Sequence, residues 1–549
     1  NSFDNPLLFI SEGFKVRPSR SDNINLGGAP SYDLWFRGNA SVFGGIEYLM
    51  PNSKGLKLKI ELDPFDYTDM SSVSSLRPIN KIRKKDSNVN FGFSFPWNDY
   101  LNFDISYIKG NTLNLSFSYG LTFNSNNKGK KAKFNPELTK STKTGNKKRD
   151  FYEDLLVNLN RNRLLLQTSD LDQGNLDISI STSEHRNAIR SSSYASSIAN
   201  DIAKQHDIDL KTINISHINA GLEINEISYI AKYYDDKNTP IELTIRNTAL
   251  DSGDPNGYVQ DEFQPNVKFP VFFSSLSPSI RSYVGNPAKF YFGGIDLNLN
   301  SEVQFSRNLI LTSEFSYPML NNFSDVSYNP DSLMRHVRTD IVKYLKEDDI
   351  HINRMQLDYI WSPYKEIYSK IAAGIFEQMY GGFGGEILYI PFDKNYYVGL
   401  EMFYVKQRSF DKRLNFQKYE TTTGHINFGY RFAKGVESRL SYGRYLAKDD
   451  GFTLELSRTT LAGFKAGIYF TRTDVPAEIF GEGSFDKGFY FQIPLDLISN
   501  MYSGEYSTFK ISPLTRDGGA KLIHDKELKG LLYNSTKYEI DRQWSGFLD

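Results

Sequence analysis

The chain has no cysteine, so disulfides, thiolate metal sites and cysteine catalysis are closed to it. It has no charge excess either. Its 64 Lys and Arg are matched by 65 Asp and Glu for a net charge of −1, which argues against a non-specific nucleic-acid partner. No apolar run approaches the ~18 residues of a membrane-crossing helix, and the mean hydropathy is −0.46. That excludes a helical membrane protein but not a β-barrel, whose strands alternate lipid-facing and lumen-facing residues and so average out as polar. Motifs for chemistry are also missing. The seven His are scattered without HExxH or another close ligand spacing, and there is neither a GxSxG elbow nor a Walker A loop. The glycines of MYGGFGGE (379–386) lack the Lys-Ser/Thr and helix of a phosphate loop and suit a strand hairpin. No metal and no cofactor is expected. NSFDNPLLFISEGF, at the start, has neither the positive nor the apolar region of a secretion signal, so a processed or truncated terminus is expected.

What the chain does have is 35 Tyr and 40 Phe, a composition suited to the aromatic girdles of a membrane barrel. From residue 272 to 495 it resolves into about twelve alternating segments of roughly ten residues. Ile295, Leu297 and Leu299 oppose Asp296, Asn298 and Asn300, and Met355, Leu357 and Tyr359 oppose Arg354, Gln356 and Asp358. Ile426, Phe428, Tyr430 and Phe432 likewise oppose His425, Asn427, Gly429 and Arg431. SRN, SPYKE, PFDKN, AKG and TTLAG are short connections, while 318–349 and 407–420 are long. Short periplasmic turns and long outer loops are the barrel pattern, which places both ends of the set in the periplasm. Soluble sandwiches and propellers also alternate with period two; strand length, aromatic ends and loop asymmetry favour the barrel.

Five earlier strands, near 40–49, 55–64, 88–95, 101–108 and 112–123, show the same split, with Leu56, Leu58, Ile60 and Leu62 against Lys57, Lys59, Glu61 and Asp63. About eight strands are needed to close a barrel, so these join another sheet or lack upstream partners. Between the groups, 124–149 is a basic, solvated linker. After it, Phe151, Leu155, Leu156 and Leu159 share one helical face and Tyr194, Ala195, Ile198, Ala199, Ile202 and Ala203 another. With strands at 164–167, 176–181, 212–218 and 226–233 they predict a small periplasmic α/β domain. The predicted fold class is thus mainly β: an outer-membrane antiparallel barrel (239–498), part of an N-terminal barrel (1–123), an inserted α/β domain (150–238) and a tail (499–549) that plugs the barrel or meets the α/β domain.

The inward register predicts a lumen lined by Asp296, Asn298, Glu302, Glu314, Arg354, Gln356, Asp358, Lys370, Glu386, Glu401, Asn427, Arg431, Glu437, Arg439, Glu455, Lys465, Tyr469, Tyr490 and Gln492. Two carboxylate pairs, Glu386 with Glu401 and Glu437 with Glu455, have the residue types of a glycosidase, but interleaved Arg and Lys make a self-neutralising wet interior the simpler reading. No enzyme is expected. A mixed-sign, tyrosine-bearing lumen suits a large hydrophilic cargo of little net charge, since a ring of one sign would select ions.

LSYGRYLAKDDGFTLELSRT (440–459), TRTDVPAEIFGEGSFDKGFYFQIPLDL (471–497) and SPLTRDGGAKL (512–522) resemble the YjbH/GfcD family of outer-membrane proteins linked to exopolysaccharide and group 4 capsule production. HVRTDIVKYLKEDDI (336–350) and FRGNASVFGGIEY (36–48) are similar to the same family. The resemblance implies two barrel regions joined by a periplasmic α/β domain, with further strands upstream of Trp35. It also implies a Gram-negative outer-membrane location, an exopolysaccharide cargo, and periplasmic and lipoprotein partners of one export system. It supplies no catalytic residues; Asp486, Lys487, Arg516 and Asp517 are its sharpest motif positions.

Overall fold

The computed structural model describes residues 2–16, 36–51, 53, 55–64, 84–97, 101–119, 137–139, 145–234, 241–254, 257–284, 291–326, 333–346, 349–480, 485–497, 502–512 and 517–548. Most of the expected basic linker, and Arg516, lie outside these residues.

The chain divides into two compact units. In the first, β1 (Ser2–Phe3) pairs with β2 (Ala40–Ser41), and β3 (Gly44–Leu49), β4 (Lys57–Leu62), β5 (Val89–Pro96), β6 (Leu101–Ile108) and β7 (Thr112–Tyr119) form an antiparallel meander. Period-two alternation sorts its side chains. Ile46, Ile60, Phe91, Phe93, Ile105, Leu115 and Phe117 are exposed on one face, while Glu47 pairs with Lys57 at 2.7 Å on the other.

The second unit begins with the α/β domain. Helix α1 (Lys147–Arg161) starts where the Asn146 side chain accepts from the amides of Lys148 and Arg149, and α2 (Ala188–Gln205) where Asn187 accepts from Arg190 N. Such caps satisfy amides that have no partner within the helix. Strands β8 (Leu165–Asp172), β9 (Asn175–Ser181), β10 (Thr212–Asn219), β11 (Leu222–Ile230) and β12 (Thr248–Asp251) form a sheet of order β12-β11-β10-β9-β8. Only β9 and β10 run parallel, because α2 crosses between them. Leu155, Leu159, Ile178, Ile198, Ile202, Ile213 and Ile227 are fully buried in the core between helices and sheet. The domain extends past the expected boundary at 238. Strand β12 pairs with β11, and Phe263 bridges Ser169. Four-residue β12 is too short for its alternation to register in the sequence.

The remaining strands are β13 (Val271–Val284), β14 (Tyr291–Gln304), β15 (Leu309–Asn321), β16 (His351–Tyr364), β17 (Ile367–Ile375), β18 (Tyr380–Tyr389), β19 (Tyr396–Arg408), β20 (Phe416–Arg431), β21 (Val436–Arg444), β22 (Asp450–Thr459), β23 (Lys465–Thr473), β24 (Asp486–Pro494) and β25 (Tyr506–Ile511). They form one 13-stranded sheet in which each strand neighbours the next in sequence. The expectation of about twelve strands ending near 495 is corrected by β25. Only Phe509 and Ile511 mark its outer face, too brief an alternation to stand out.

The sheet is rolled, as three consecutive tail residues show. Lys526 Nζ meets Glu302 of β14 at 2.7 Å, Glu527 Oε1 accepts from Arg439 of β21 at 2.9 Å, and Leu528 N donates to Glu386 of β18 at 3.1 Å. At ~4.8 Å per strand a flat sheet would hold β14 and β21 about 34 Å apart. The α/β domain lies at the end of the short turns: Arg186 meets Ala462 O in the β22–β23 turn and Asp496 after β24, and Lys365 in the β16–β17 turn meets Asp251.

Candidate functional site

One face of the rolled sheet is apolar and exposed. Ile371, Phe383, Ile387, Leu400, Met402, Ile426, Tyr442 and Ile468 all point outward to open surface. The opposite face carries the expected polar residues, and the chain's own tail occupies the space they enclose.

Residues 517–548 thread this space from one end to the other. At the end away from the α/β domain, buried Asp517 accepts through Oδ1 from the amides of Val337, Arg338 and Thr339 and through Oδ2 from Thr339 Oγ1, all at 2.7–3.0 Å. Two motifs 180 residues apart in sequence therefore hold each other, HVRTD fixed by the Asp of RDGG. Next, Gly519 N donates to Asp449 and Leu446 N to Ala520 O. Gln356 is bonded in both directions with Asp525, and Lys370 Nζ donates to the carbonyls of Asp525 and Lys526 while facing Glu386 at 2.6 Å. Arg354 faces Asp525 at 3.5 Å, Lys529 faces Glu437 at 3.0 Å, and Arg431 lies between Glu437 and Glu539. At the other end Asn219 and Asn225 donate to Leu531 O and Asn534 O, Ala188 N donates to Gln543, and Leu548 N to Ser193 Oγ.

Other predicted positions pair within the wall. Asp296 binds Arg281 at 2.6 Å, Asn298 donates to Glu314, Asp358 lies 4.0 Å from Lys370, and Asn427 accepts from Ser441. Glu401 accepts from His425 at 2.9 Å and faces His524 of the tail. Glu386 and Glu401 are direct cross-strand neighbours, yet the space beside them is only about 20 Å³, room for a water and not for a sugar. Glu437 lies opposite Ser457, and Glu455 opposite Arg439. Asp486 sits on the inner face of β24. Lys487 belongs to the outer register of that strand, its ammonium over the Phe485 ring.

Open space remains between the tail and strands β22 to β25. A cavity of about 650 Å³ near the α/β domain is lined by Lys465, Gln492, Tyr506, Lys529 and Arg186, among others. A second, of about 570 Å³, lies toward the far end against Tyr469, Asp486, Lys510 and Lys521. Arg439, Glu455 and Tyr490 line both, so the two cavities follow one another along the same wall. Among these shared residues Arg439 pairs with Glu455 at 3.2 Å and the Tyr490 hydroxyl donates to Glu455. Tyr490 and Tyr469 each lie across a glycine. Tyr490 opposes Gly467 and Tyr469 opposes Gly488 in register, and a Cβ on either glycine would come within 2.7 Å of the facing ring. Gly467 and Gly488 thus let the rings lie flat along the wall.

Lys510 of the short strand β25, and Lys521, His524, Glu527 and Lys529 of the tail, were not anticipated. Alternation marks a strand, whereas the tail docks through charges of no fixed period; the mixed-sign run KLIHDKELKG (521–530) was its one sequence signal. A buried row also emerged beside the larger cavity. Ser191 Oγ donates to His217 Nε2 and His217 Nδ1 to Asn225 Oδ1, each at 2.7 Å. Burial lowers the His217 pKa to about 4 and keeps the ring neutral. Ser191 has no exposed surface and its hydroxyl also reaches the Asn187 and Ala188 carbonyls. The row fastens α2 to β10 and, through Asn225, to the tail.

Comparison with known proteins agrees on family. Residues 1–537 match the family model YjbH, described as "Exopolysaccharide biosynthesis protein YbjH". The chain is 27% identical over 536 residues to the "Uncharacterized lipoprotein YjbH" of Escherichia coli (strain K12), covering 94% of this chain and 73% of that protein. Among solved structures, OmpT (in-vitro folded), an outer membrane protein of Vibrio cholerae, aligns over 40% of this chain and 80% of its own with 9% identity and a TM-score of 0.20.

Proposed function

This chain belongs to the YjbH family of exopolysaccharide biosynthesis proteins, and we propose that it is a non-enzymatic outer-membrane β-barrel taking part in export or assembly of an exopolysaccharide or capsule. The observation that carries this reading is the sidedness of the rolled sheet: an exposed apolar outer face and an inner face of charged and hydroxyl groups around two successive cavities. Apolar side chains on so broad a face are stable against lipid and costly against water. The short-turn end, with the α/β domain, faces the periplasm, where it organises periplasmic and lipoprotein partners. The relative's lipoprotein name supports an envelope location.

The carboxylates act here as structural charges. Glu437 and Glu455 are each engaged by a cation, and Glu386 is held by Lys370. The test is deletion of the complete gene in its own host, with polymer quantified at the cell surface and in the periplasm. Loss from the surface with accumulation in the periplasm is expected. Normal surface polymer of altered chain length or modification would overturn the proposal and point to a polysaccharide-processing or polysaccharide-binding protein.

A further inference from the structure

The carboxylates and the amines lining the two cavities are not balanced in the same way. Glu377 is engaged by Arg338 at 2.9 Å, Glu437 by Lys529 at 3.0 Å, Glu455 by Arg439 at 3.2 Å, Glu527 by Arg439 at 2.9 Å and Glu539 by Arg542 at 3.2 Å. Three lysines on the same surfaces, Lys465, Lys510 and Lys521, stand in no ion pair among the described residues. Lys465 lies 5.6 Å from the centre of the Tyr490 ring, and Lys510 lies 5.0 Å from that of Tyr469. Asp486 lines the far cavity with Lys510 but is not within ion-pair distance of it. The path thus offers three ammonium groups that no carboxylate among the described residues holds within ion-pair distance, spread over both cavities, beside two tyrosine rings that lie over glycines.

An ammonium lining a cavity without a carboxylate partner can form a charge-assisted hydrogen bond to an anionic ligand without first breaking an internal pair. A flat aromatic ring beside it offers an apolar face to the C–H face of a sugar. We propose that the two cavities are successive binding sites for an acidic glycan. Lys465, Lys510 and Lys521 meet its carboxylate or phosphate substituents, while Tyr490 and Tyr469 meet its sugar rings. The proposal rests on the export reading above and deepens it by assigning the charge of the cargo. It departs from the sequence expectation of a weakly charged cargo, because the sequence shows the numbers of each sign but not which charges are already paired.

The test is calorimetric titration of the full chain in detergent with three probes: an oligogalacturonate, a neutral maltooligosaccharide of equal length, and inorganic phosphate. The acidic oligomer should bind at least about tenfold more tightly than either other probe and weaken with added salt. Lys510→Gln and Lys521→Gln should each weaken it by roughly tenfold, the effect of losing one charge-assisted bond, and Lys510→Arg should restore it. Circular dichroism of each variant checks folding, and the three-probe comparison on the unmodified chain stands even where a variant fails to fold. Equal binding of both oligomers would overturn the acidic assignment and leave the export reading in place. Phosphate binding as tightly as the acidic oligomer would reduce the site to a simple anion site. Binding of neither oligomer would count against the glycan path altogether, and against this inference with it.

Discussion

At the scale of single residues, the α/β domain holds two buried titratable groups whose pH responses oppose one another. Burial, reinforced by nearby Glu226 and Asp254, raises the Glu223 pKa to about 7, against hydrogen bonding from Ser216 Oγ. Between its ordinary value near 4.5 and 7, the folded chain keeps a proton that the unfolded chain has released. The stability Glu223 contributes is therefore complete below 4.5 and is lost as the pH rises through 7. His217 behaves in the opposite sense. Burial lowers its pKa to about 4, so from about 6.5 down to 4 the unfolded chain gains a proton that the folded one refuses, and stability falls with the pH. Glu223→Gln should remove the first slope and leave this domain relatively more stable at pH 7 than at pH 5. His217→Gln should tilt the balance the other way. Hydrogen exchange of peptides covering 212–230, corrected for intrinsic rate, measures both, and His185, Asp261 and the other shifted groups cancel in each comparison with the unmodified chain. Unchanged slopes in both variants would mean that neither group titrates with folding.

At the scale of elements, the strand is the unit that decides sidedness, because its side chains alternate with period two. Met402, near the middle of β19, is exposed on the outer face, while Ser457 of β22 lines the larger cavity. If the outer face meets lipid, Met402→Arg should cost about 2–4 kcal/mol of folding stability in vesicles, the range for a cation near the bilayer midplane. Ser457→Lys should cost far less, since its ammonium enters a polar cavity. Urea titration of vesicle-folded protein measures the pair, and equal costs would remove the lipid-facing assignment. The same periodicity explains how much was readable beforehand. Strands β14, β16, β20 and β24 announce themselves by unbroken alternation, and α1 and α2 by their apolar stripes. β12 and β25 are too short to do so. The docking of the tail, and with it the Asp517 contact to Val337–Thr339, depends on pairs some 180 residues apart that no local pattern encodes.

At the scale of the molecule, the tail is a strut joining two distant places. It is pinned at one end by Asp517 and at the other by Gln543 and Leu548 against α2, with Lys526, Glu527 and Lys529 bound to the wall between them. A segment held by so many charged contacts fills space that water would otherwise occupy, and its contacts run from the α/β domain to the opposite end. Ending the chain after Ile511 removes the strut and leaves every strand and the outer apolar face intact. If the rolled sheet is a membrane barrel, the inner charges left behind, Lys370, Glu386, Arg439 and Glu437, would be solvated by water entering it, as the polar interiors of open barrels are. The shortened protein should therefore still fold into vesicles, and its single-molecule conductance in planar bilayers should exceed that of the full chain several-fold. Hydrogen exchange at 188–196 of α2 should quicken at the same time, because Ala188 N and Ser193 lose their tail partners. Equal conductance before and after truncation would show that the tail does not close the path. A rise in conductance without faster exchange in α2 would retain the plug and discard the coupling.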